Sequence, residues 1–403
     1  MAGRHSTNKQ SRNAGMRRRR AVIVGGAVGA FAAAAAMATG SAVTAAPAKA
    51  DFEDLLLDPI IQPLLTSMTD ALAGFDPTAA TDLTSYTDSL LSSLNSIDLA
   101  LPSAAEPAAA STASPASDPS SYDIPITVME GTEPTVQATV DGAPTTLLVD
   151  TGSSGLVIPE TDLGSNSLTQ LESLISLGVP SSFGESGYSG GVQYFYLEYN
   201  DVPTDYGNGA LDTTGPVDVE IYSYNPSDPL SFLTNNAFQQ FDADNDVTGV
   251  LGIGDNTAGP TESPFQADGY DGVLVDIPQS ELIVEPTAPP GGDTVSGAPI
   301  SSLYETVTTN GSTTGSTVSN DVDSGGVYGT IPSSLDSSLA PGSTITVYSS
   351  QGGTELYQYT VGSAGEEPVS TSGTSIDSGV EPFLVEPIYI DYANDTMTFY
   401  PGP

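Results

Sequence analysis

A short segment that occurs twice constrains the fold of this 403-residue chain more than any other feature. The first copy surrounds Asp150 and the second surrounds Asp323. In each copy Val precedes the Asp, a hydroxyl residue and Gly follow it, and Ile-Pro closes the segment, with the Pro nine positions after the Asp. A strand that ends in a tight turn would present each carboxylate at the turn. The repeat therefore predicts two similar lobes that bring two carboxylates together in a cleft.

The distribution of charge excludes many kinds of chemistry. All eight Lys and Arg residues and the single His lie within residues 1–50, all 50 Asp and Glu residues lie after them, and the chain has no Cys. From residue 51 onward there is no base for a Ser-His-Asp or Cys-His site and no His or Cys for a zinc site. Nothing positive is present to neutralise phosphates, so no nucleic-acid partner is expected. Any acid–base catalysis must therefore use carboxyl groups. We expect no metal and no cofactor.

Residues 1–50 have the pattern of a signal peptide. A basic run at residues 17–20 precedes an apolar stretch at residues 21–37, and residues 48–50 fit a small-residue cleavage site. Gly and Ala dilute the apolar stretch, which makes a permanent membrane anchor the weaker interpretation. The segment therefore predicts a secreted or cell-surface protein.

The remainder of the chain divides by composition. Leu and Ile recur at helical spacing in residues 51–100, which predicts a helical extension or a pro-segment. Residues 101–121 are rich in Pro, Ala and Ser, as is typical of a disordered linker. From residue 122 short β-like runs alternate with turn residues, so the expected fold is all-β. We place an N-terminal β-lobe at residues 122–265 and a C-terminal β-lobe at residues 266–403.

The paired Asp-Thr-Gly and Asp-Ser-Gly motifs resemble those of the pepsin-like aspartic proteases. Residues 206–209 resemble the flap of that family, residues 248–254 its Gly-rich segment late in the first lobe, and residues 379–392 its closing strands. The resemblance covers residues 122–403 and implies an all-β, bilobal fold with a helical N-terminal extension. With its leader and linker, the chain is most similar to the secreted actinobacterial aspartic proteases that process PE-domain proteins on the mycobacterial surface.

The resemblance implies a secreted endopeptidase that hydrolyses peptide bonds with a water activated between two Asp carboxyls. Asp150 and Asp323 would be the catalytic pair and would share one proton. The supporting residues that it implies are Thr151, Gly152, Ser153, Ser324 and Gly325, with Tyr206 as the flap residue and residues 188–191 as the rival flap tip. The expected partners are protein or peptide substrates, and a monomer is favoured because both motifs lie in one chain.

Two departures from the family pattern leave a competing class open, a cell-surface binding protein that keeps the fold with weak or no activity. Gly326 stands three positions after Asp323, where the first copy has Ser153. Asp321 stands two positions before Asp323, where an apolar residue is usual. The missing hydroxyl predicts that Asp150 is the better-stabilised carboxylate and that Asp323 more often carries the proton.

Two further acidic motifs have simpler explanations. A third Asp-Ser-Gly begins at Asp377, but it lacks the downstream Ile-Pro and too few residues follow it to build a lobe. It predicts a turn between two late strands. Residues 242–246 resemble the start of a calcium loop, but Val247 and Ile253 stand where an EF-hand needs Gly and Glu, so a surface turn is predicted.

Overall fold

The computed structural model describes residues 121–402, except for 166, 189–190, 229–230, 232–233, 286–287, 338, 363–368 and 372. Strands in three sheets dominate this part of the chain, which confirms the prediction of an all-β fold. No helix within it is long and apolar enough to cross a membrane. The predicted signal peptide, helical extension and linker lie outside the described residues.

The strands are short and are joined mainly by turns. They are β1 (Tyr122–Pro125), β2 (Thr127–Met129), β3 (Glu133–Val140), β4 (Ala143–Asp150), β5 (Ser154–Pro159), β6 (Ser182–Tyr188), β7 (Val192–Tyr199), β8 (Thr204–Tyr206), β9 (Leu211–Thr213), β10 (Val217–Tyr224), β11 (Gly249–Ile253), β12 (Gly272–Asp276), β13 (Glu281–Glu285), β14 (Asp293–Ser296), β15 (Ile300–Thr309), β16 (Ser312–Asp321), β17 (Thr330–Pro332), β18 (Thr344–Tyr348), β19 (Glu355–Thr360), β20 (Val369–Thr371), β21 (Ser375–Asp377), β22 (Ile388–Asp391) and β23 (Thr396–Phe399). The α-helices are α1 (Ser167–Leu177), α2 (Ala237–Asp244), α3 (Pro264–Ala267) and α4 (Glu381–Val385), and 3-10 turns occupy Glu160–Leu163 and Ile277–Gln279.

Each lobe is built on its own sheet. The ten-stranded sheet has the order β6-β7-β10-β5-β11-β4-β3-β8-β9, with β2 beside β3, and we call residues 127–253 the first lobe. The seven-stranded sheet has the order β19-β18-β15-β16-β21-β17-β20, and we call residues 300–377 the second lobe. The two lobes are therefore separate sheets of one chain.

A six-stranded sheet, ordered β1-β13-β12-β22-β23-β14, connects the lobes. It takes strands from the start, the middle and the end of the described chain. One cluster of buried apolar side chains runs through all three sheets and includes Val136, Val273 and Ile345. The division into lobes at residues 122–265 and 266–403 stays a prediction, since this sheet draws on both ranges.

Parallel pairing holds the first motif at the centre of the first lobe. β4 leads into Asp150 and pairs in parallel with β11, where Val250 lies opposite Leu148. β5 leaves the motif antiparallel to β11, and all of its residues are buried. Strands that are covered on both faces are continuous apolar runs, which explains the lack of polar alternation on either side of Asp150.

The second lobe repeats this arrangement around the second motif. β16 runs towards Asp323 and pairs in parallel with β21, where Asp377 lies opposite Asp321. β17 leaves the motif antiparallel to β21, and there Thr330 lies opposite Asp377. The repeat in sequence therefore corresponds to a repeat in strand topology.

The turn between β3 and β4 is a two-residue hairpin of the kind that an Asp-Gly pair favours. Val140 pairs with Ala143, which leaves two residues in the turn. These are Asp141 and Gly142, with φ of 47° and 83°. Positive φ at both central positions is what a type I′ hairpin turn requires.

Candidate active site

The two motifs meet across the lobes through a reciprocal pair of hydrogen bonds. The Thr151 N–H donates to Ser324 Oγ at 3.0 Å, and the Ser324 N–H donates to Thr151 Oγ1 at 2.8 Å. The two hydroxyls donate in turn to main-chain carbonyls of the opposite lobe, Thr151 to Val322 at 2.6 Å and Ser324 to Val149 at 2.7 Å. Both side chains are fully buried. Because an unpaired buried polar group costs about 1–3 kcal/mol, this set of bonds fixes the two turns relative to each other.

Glycine lets the two carboxyls approach the opposite turns. The Gly152 N–H donates to Asp150 Oδ1 at 2.8 Å and to Asp323 Oδ1 at 3.2 Å, and the Gly325 N–H donates to Asp323 Oδ1 at 2.8 Å. A Cβ on Gly152 would overlap the carboxyl of Asp323, and a Cβ on Gly325 would lie 2.7 Å from the carboxyl carbon of Asp150. Any larger residue at these positions would push the carboxyls apart. The structure thus brings Asp150 and Asp323 together at the boundary between the lobes.

The two carboxyls have different surroundings. Ser153 Oγ donates to Asp150 Oδ2 at 2.6 Å, in addition to the amide of Gly152. Asp323 has Gly326 at the corresponding position, which offers no hydroxyl. Burial raises the pKa of Asp323 well above its usual range, and the charges of Asp150, Asp377 and Asp321 raise it further. The two hydrogen bonds to Asp150 favour its ionised form, which is the basis for expecting the shared proton on Asp323.

The structure places Tyr206 away from the cleft. Its side chain is fully buried in the first lobe, where its ring packs 5.2 Å from the ring of Phe265. Burial raises the pKa of Tyr206. A core tyrosine of this kind cannot fold over a bound peptide, so the assignment of Tyr206 as the flap residue does not fit its position. The sequence pattern misled because strand tyrosines are frequent in this lobe.

Tyr188 and Gly191 of the rival flap segment are described, whereas residues 189–190 lie outside the described residues. Tyr188 ends β6, where it pairs with Val192 of β7, and its ring stacks on those of Phe241 and Tyr194 at 5.2 and 5.4 Å. Burial raises the pKa of Tyr188, and the charge of Asp150 is among the further causes. Tyr188 therefore lies close enough to Asp150 to be influenced by its charge.

Two further carboxyls, Asp321 and Asp377, lie beside the pair. Asp377 ends β21, and the turn after it leads into α4 and not directly into the predicted second strand. Asp377 also lies opposite Asp321 and near Asp323. Burial raises the pKa of Asp321 to about 8, with further contributions from Asp377 and Asp150. The pKa of Asp377 rises to about 7, mainly through burial, while the Gly379 N–H lowers it. The third Asp-Ser-Gly was visible in the sequence, but only the sheet register shows where it lies.

The segment that resembles a calcium loop is only partly a surface turn. Asp242 is buried in α2, whereas Asp244 and Asp246 are exposed. Burial raises the pKa of Asp242 to about 9, followed by the charges of Asp162 and Glu220. Among the described residues, no group of His, Cys, Asp or Glu is arranged to hold a metal ion.

Two β-lobes that each contribute one Asp from a Gly-containing turn, with a hydroxyl of each turn bonded to the other, define a pepsin-like aspartyl peptidase-like protein. The model of one family, the PE-PGRS C-terminal aspartyl peptidase-like domain, matches residues 122–399. The chain belongs to this family.

Curated relatives agree with this assignment. The chain is 37% identical over 288 residues to PE cleavage protein A of Mycobacterium tuberculosis, in strains CDC 1551 / Oshkosh and H37Rv. It is 37% identical over 287 residues to PE cleavage protein A of Mycobacterium marinum. The alignments cover 67% of this chain and 50% of each relative, so the chain spans about half the length of these proteins.

Proposed function

We propose that the protein is an aspartic endopeptidase in which Asp150 and Asp323 are the catalytic pair. The observation that carries the proposal is the meeting of the two carboxyls, each within hydrogen-bonding distance of the Gly152 amide. Like charges this close cannot both ionise cheaply, so the pair holds one proton over a wide pH range. The membership of the chain in an aspartyl peptidase-like family supports the same activity.

The asymmetry of the pair assigns the steps of the reaction. Asp150, ionised and held by Ser153 and Gly152, takes a proton from a water bound between the carboxyls. Asp323, protonated, donates a hydrogen bond to the carbonyl oxygen of the peptide bond to be cleaved. The water oxygen bonds to the carbonyl carbon, the carbon–nitrogen bond breaks, and the departing nitrogen takes up a proton from the pair. The chain needs no His, Cys or Lys for any of these steps.

The chemistry of the chain restricts its substrates. From residue 51 onward it has no cationic side chain, so no residue of the cleft can pair with an acidic side chain of a substrate. We infer a preference for apolar or basic residues around the cut site. Because the relatives are named PE cleavage protein A, a PE protein is the first substrate to test. The basic run and apolar stretch before residue 38 support export to the cell surface or medium as the route to such a substrate.

The competing function is a surface binding protein that keeps the fold without activity, which the departures at Asp321 and Gly326 favour. Incubating the mature chain with an unfolded protein at roughly pH 3 to 6 separates the two, because a proton-sharing carboxyl pair works in that range. We expect cleavage that a statine-type inhibitor blocks, measured by mass spectrometry of the fragments. Absence of cleavage at every pH in this range would favour the binding protein.

The position of Tyr188 predicts that it contacts bound substrate. Tyr188→Ala should lower kcat/KM by about tenfold or more, because a side chain that positions a substrate acts on the reaction geometry. Tyr206→Phe is the matched control: it removes only a hydroxyl from a core residue and should leave kcat/KM unchanged. Steady-state kinetics on one peptide substrate test both variants. The reverse pattern, with Tyr206→Phe impaired and Tyr188→Ala normal, would restore Tyr206 as the flap residue.

A further inference from the structure

The space beside Asp323 is occupied by a carboxyl. In the first lobe, Ser153 stands three positions after Asp150 and donates to its Oδ2 at 2.6 Å. In the second lobe, the corresponding residue is Gly326. A Cβ on Gly326 would lie 2.5 Å from Asp377 Oδ1 and 2.9 Å from Asp323 Oδ2. The Asp377 carboxyl therefore takes the place that a serine side chain would fill.

Comparison of the two lobes shows that this carboxyl replaces an apolar residue. Val250 of the first lobe lies opposite Leu148, two positions before Asp150, and opposite Val157, seven positions after it. Asp377 of the second lobe lies opposite the residues with the same two offsets from Asp323, namely Asp321 and Thr330. Leu148 and Val250 are buried. Two carboxyls thus stand where the first lobe has an apolar pair, while the hydroxyl beside the second Asp is missing.

Hydrogen bonds hold Asp377 in this position. The Gly379 N–H donates to Asp377 Oδ1 at 2.9 Å. The next residue, Ser378, accepts a bond from the Asp323 N–H at 3.0 Å and donates its own N–H to the Asp321 carbonyl at 2.8 Å. The end of β21 is therefore bonded directly to the second motif. These bonds hold the Asp377 carboxyl at a fixed position beside Asp323 when its protonation changes.

The titratable groups around Asp377 in the part of the chain that the structure describes are acidic. Asp150 acts on it from the first lobe, Asp321 from the end of β16, Asp323 from the turn that follows, and Tyr357 and Tyr359 from β19. No Lys, Arg or His occurs after residue 50 to offset their charges. Each ionisation in this group therefore opposes the next one.

We propose that Asp377 is a positioning residue for the peptidase reaction: its carboxyl replaces the missing hydroxyl beside Asp323 and keeps Asp323 protonated towards neutral pH. The inference rests on the proposed function, since it concerns the pair that would activate water. A pair supported by two further carboxyls should retain its single proton to a higher pH than a pair braced by hydroxyls on both sides. The peptidase would then stay active closer to neutral pH, although no positively charged residue of the described chain lies near the pair.

The pH profile of kcat/KM tests this role. Asp377→Asn keeps the size of the side chain and an oxygen that can accept from the Gly379 N–H, but it cannot ionise. The upper limb should therefore move to lower pH by about one unit. Cleavage at the acidic optimum should stay within about tenfold of wild type. Asp212→Asn is the matched control, because it removes the same charge from an exposed position on the edge strand β9. A profile of Asp377→Asn that overlays those of wild type and Asp212→Asn would overturn the proposal.

A double-mutant cycle, read by the unfolding midpoint, tests whether the Asp377 carboxyl fills the space beside Gly326. It requires no measurement of peptidase activity. Gly326→Ser should lower the unfolding midpoint in the wild-type background, because its Cβ meets the Asp377 carboxyl. The same change should cost less, or nothing, in Asp377→Ala, where that carboxyl is gone. Equal effects in the two backgrounds would show that Asp377 does not fill this space and would overturn the inference alone. A wild-type chain that cleaves nothing would instead overturn the proposed function, whatever the cycle shows.

Discussion

Asp150→Asn and Asp323→Asn should each lower kcat/KM by about 10³-fold or more, because asparagine can neither accept nor release the proton that the reaction moves. The substitution keeps the shape of the site. An Asn at position 150 still accepts from the Gly152 amide and faces Ser153, and an Asn at position 323 still accepts from Gly325. The loss therefore reports proton transfer and not a collapsed turn. Initial rates on one peptide substrate at the pH optimum measure it.

The control for these variants is Asp141→Asn. Asp141 is exposed in the β3–β4 turn with φ of 47°, a conformation that Asn adopts readily, so this change removes one charge and nothing else. It should keep wild-type kinetics. Both site variants should unfold at the wild-type temperature or above it, since removing one carboxyl relieves repulsion within the pair. If Asp323→Asn kept more than about a tenth of the activity while Asp377→Asn lost it, Asp377 would replace Asp323 as the second member of the pair.

The unfolding midpoint should fall by about 10 °C or more as the pH rises from about 4 to 9. Several carboxyls are buried in this protein, and burial is the first cause of the raised pKa of each. The affected groups and their pKa values are Asp218, Glu220 and Glu305 at about 8 and Asp242 at about 9. Between the ordinary and the raised values, the unfolded chain has released protons that the folded chain still holds. Stability therefore falls with pH throughout this window, the reverse of the usual behaviour of paired carboxylates.

Glu305 allows the effect to be isolated. It is 1% exposed, and its pKa rises from 4.5 to about 8 through burial. At about 1.4 kcal/mol per pKa unit, this single group accounts for a change in unfolding free energy on the order of 5 kcal/mol across the window. Glu305→Gln should flatten the pH dependence and raise the midpoint at pH 8 relative to wild type. Calorimetry across the pH range measures it, with exposed Asp212→Asn as the control.

A midpoint that rises between pH 4 and 8 would contradict this account. It would mean that the buried carboxyls are already ionised in the folded protein. If Glu305→Gln left the slope of unfolding midpoint against pH unchanged, Glu305 would not contribute to it. Asp218, Glu220 and Asp242 would then have to explain the fall of stability with pH.

Much of the fold was predictable because the relevant signals are local. Val-Asp with a hydroxyl residue, Gly and Ile-Pro at fixed offsets specifies a strand, a tight turn and a second strand wherever it occurs. Its recurrence predicted two lobes, and the Asp141-Gly142 turn was predictable from the φ values that a two-residue hairpin needs. The position of Tyr206 was not predictable, because strand tyrosines in the core and in a flap have the same local pattern. Their location depends on which side of the sheet each one faces.

The amino-acid sequence by itself determined the chemistry that is possible here. With no Lys, Arg, His or Cys after residue 50, only carboxyls remain for acid–base work, and the repeated motif identifies two of them. Only the tertiary structure decided which further carboxyls join the pair. Asp377 lies far from Asp323 along the chain, and parallel pairing of β16 with β21 brings it into the space that Gly326 leaves open. Pairing register and the volume of a missing side chain are properties of the folded chain, since they depend on residues that meet only after the sheets have formed.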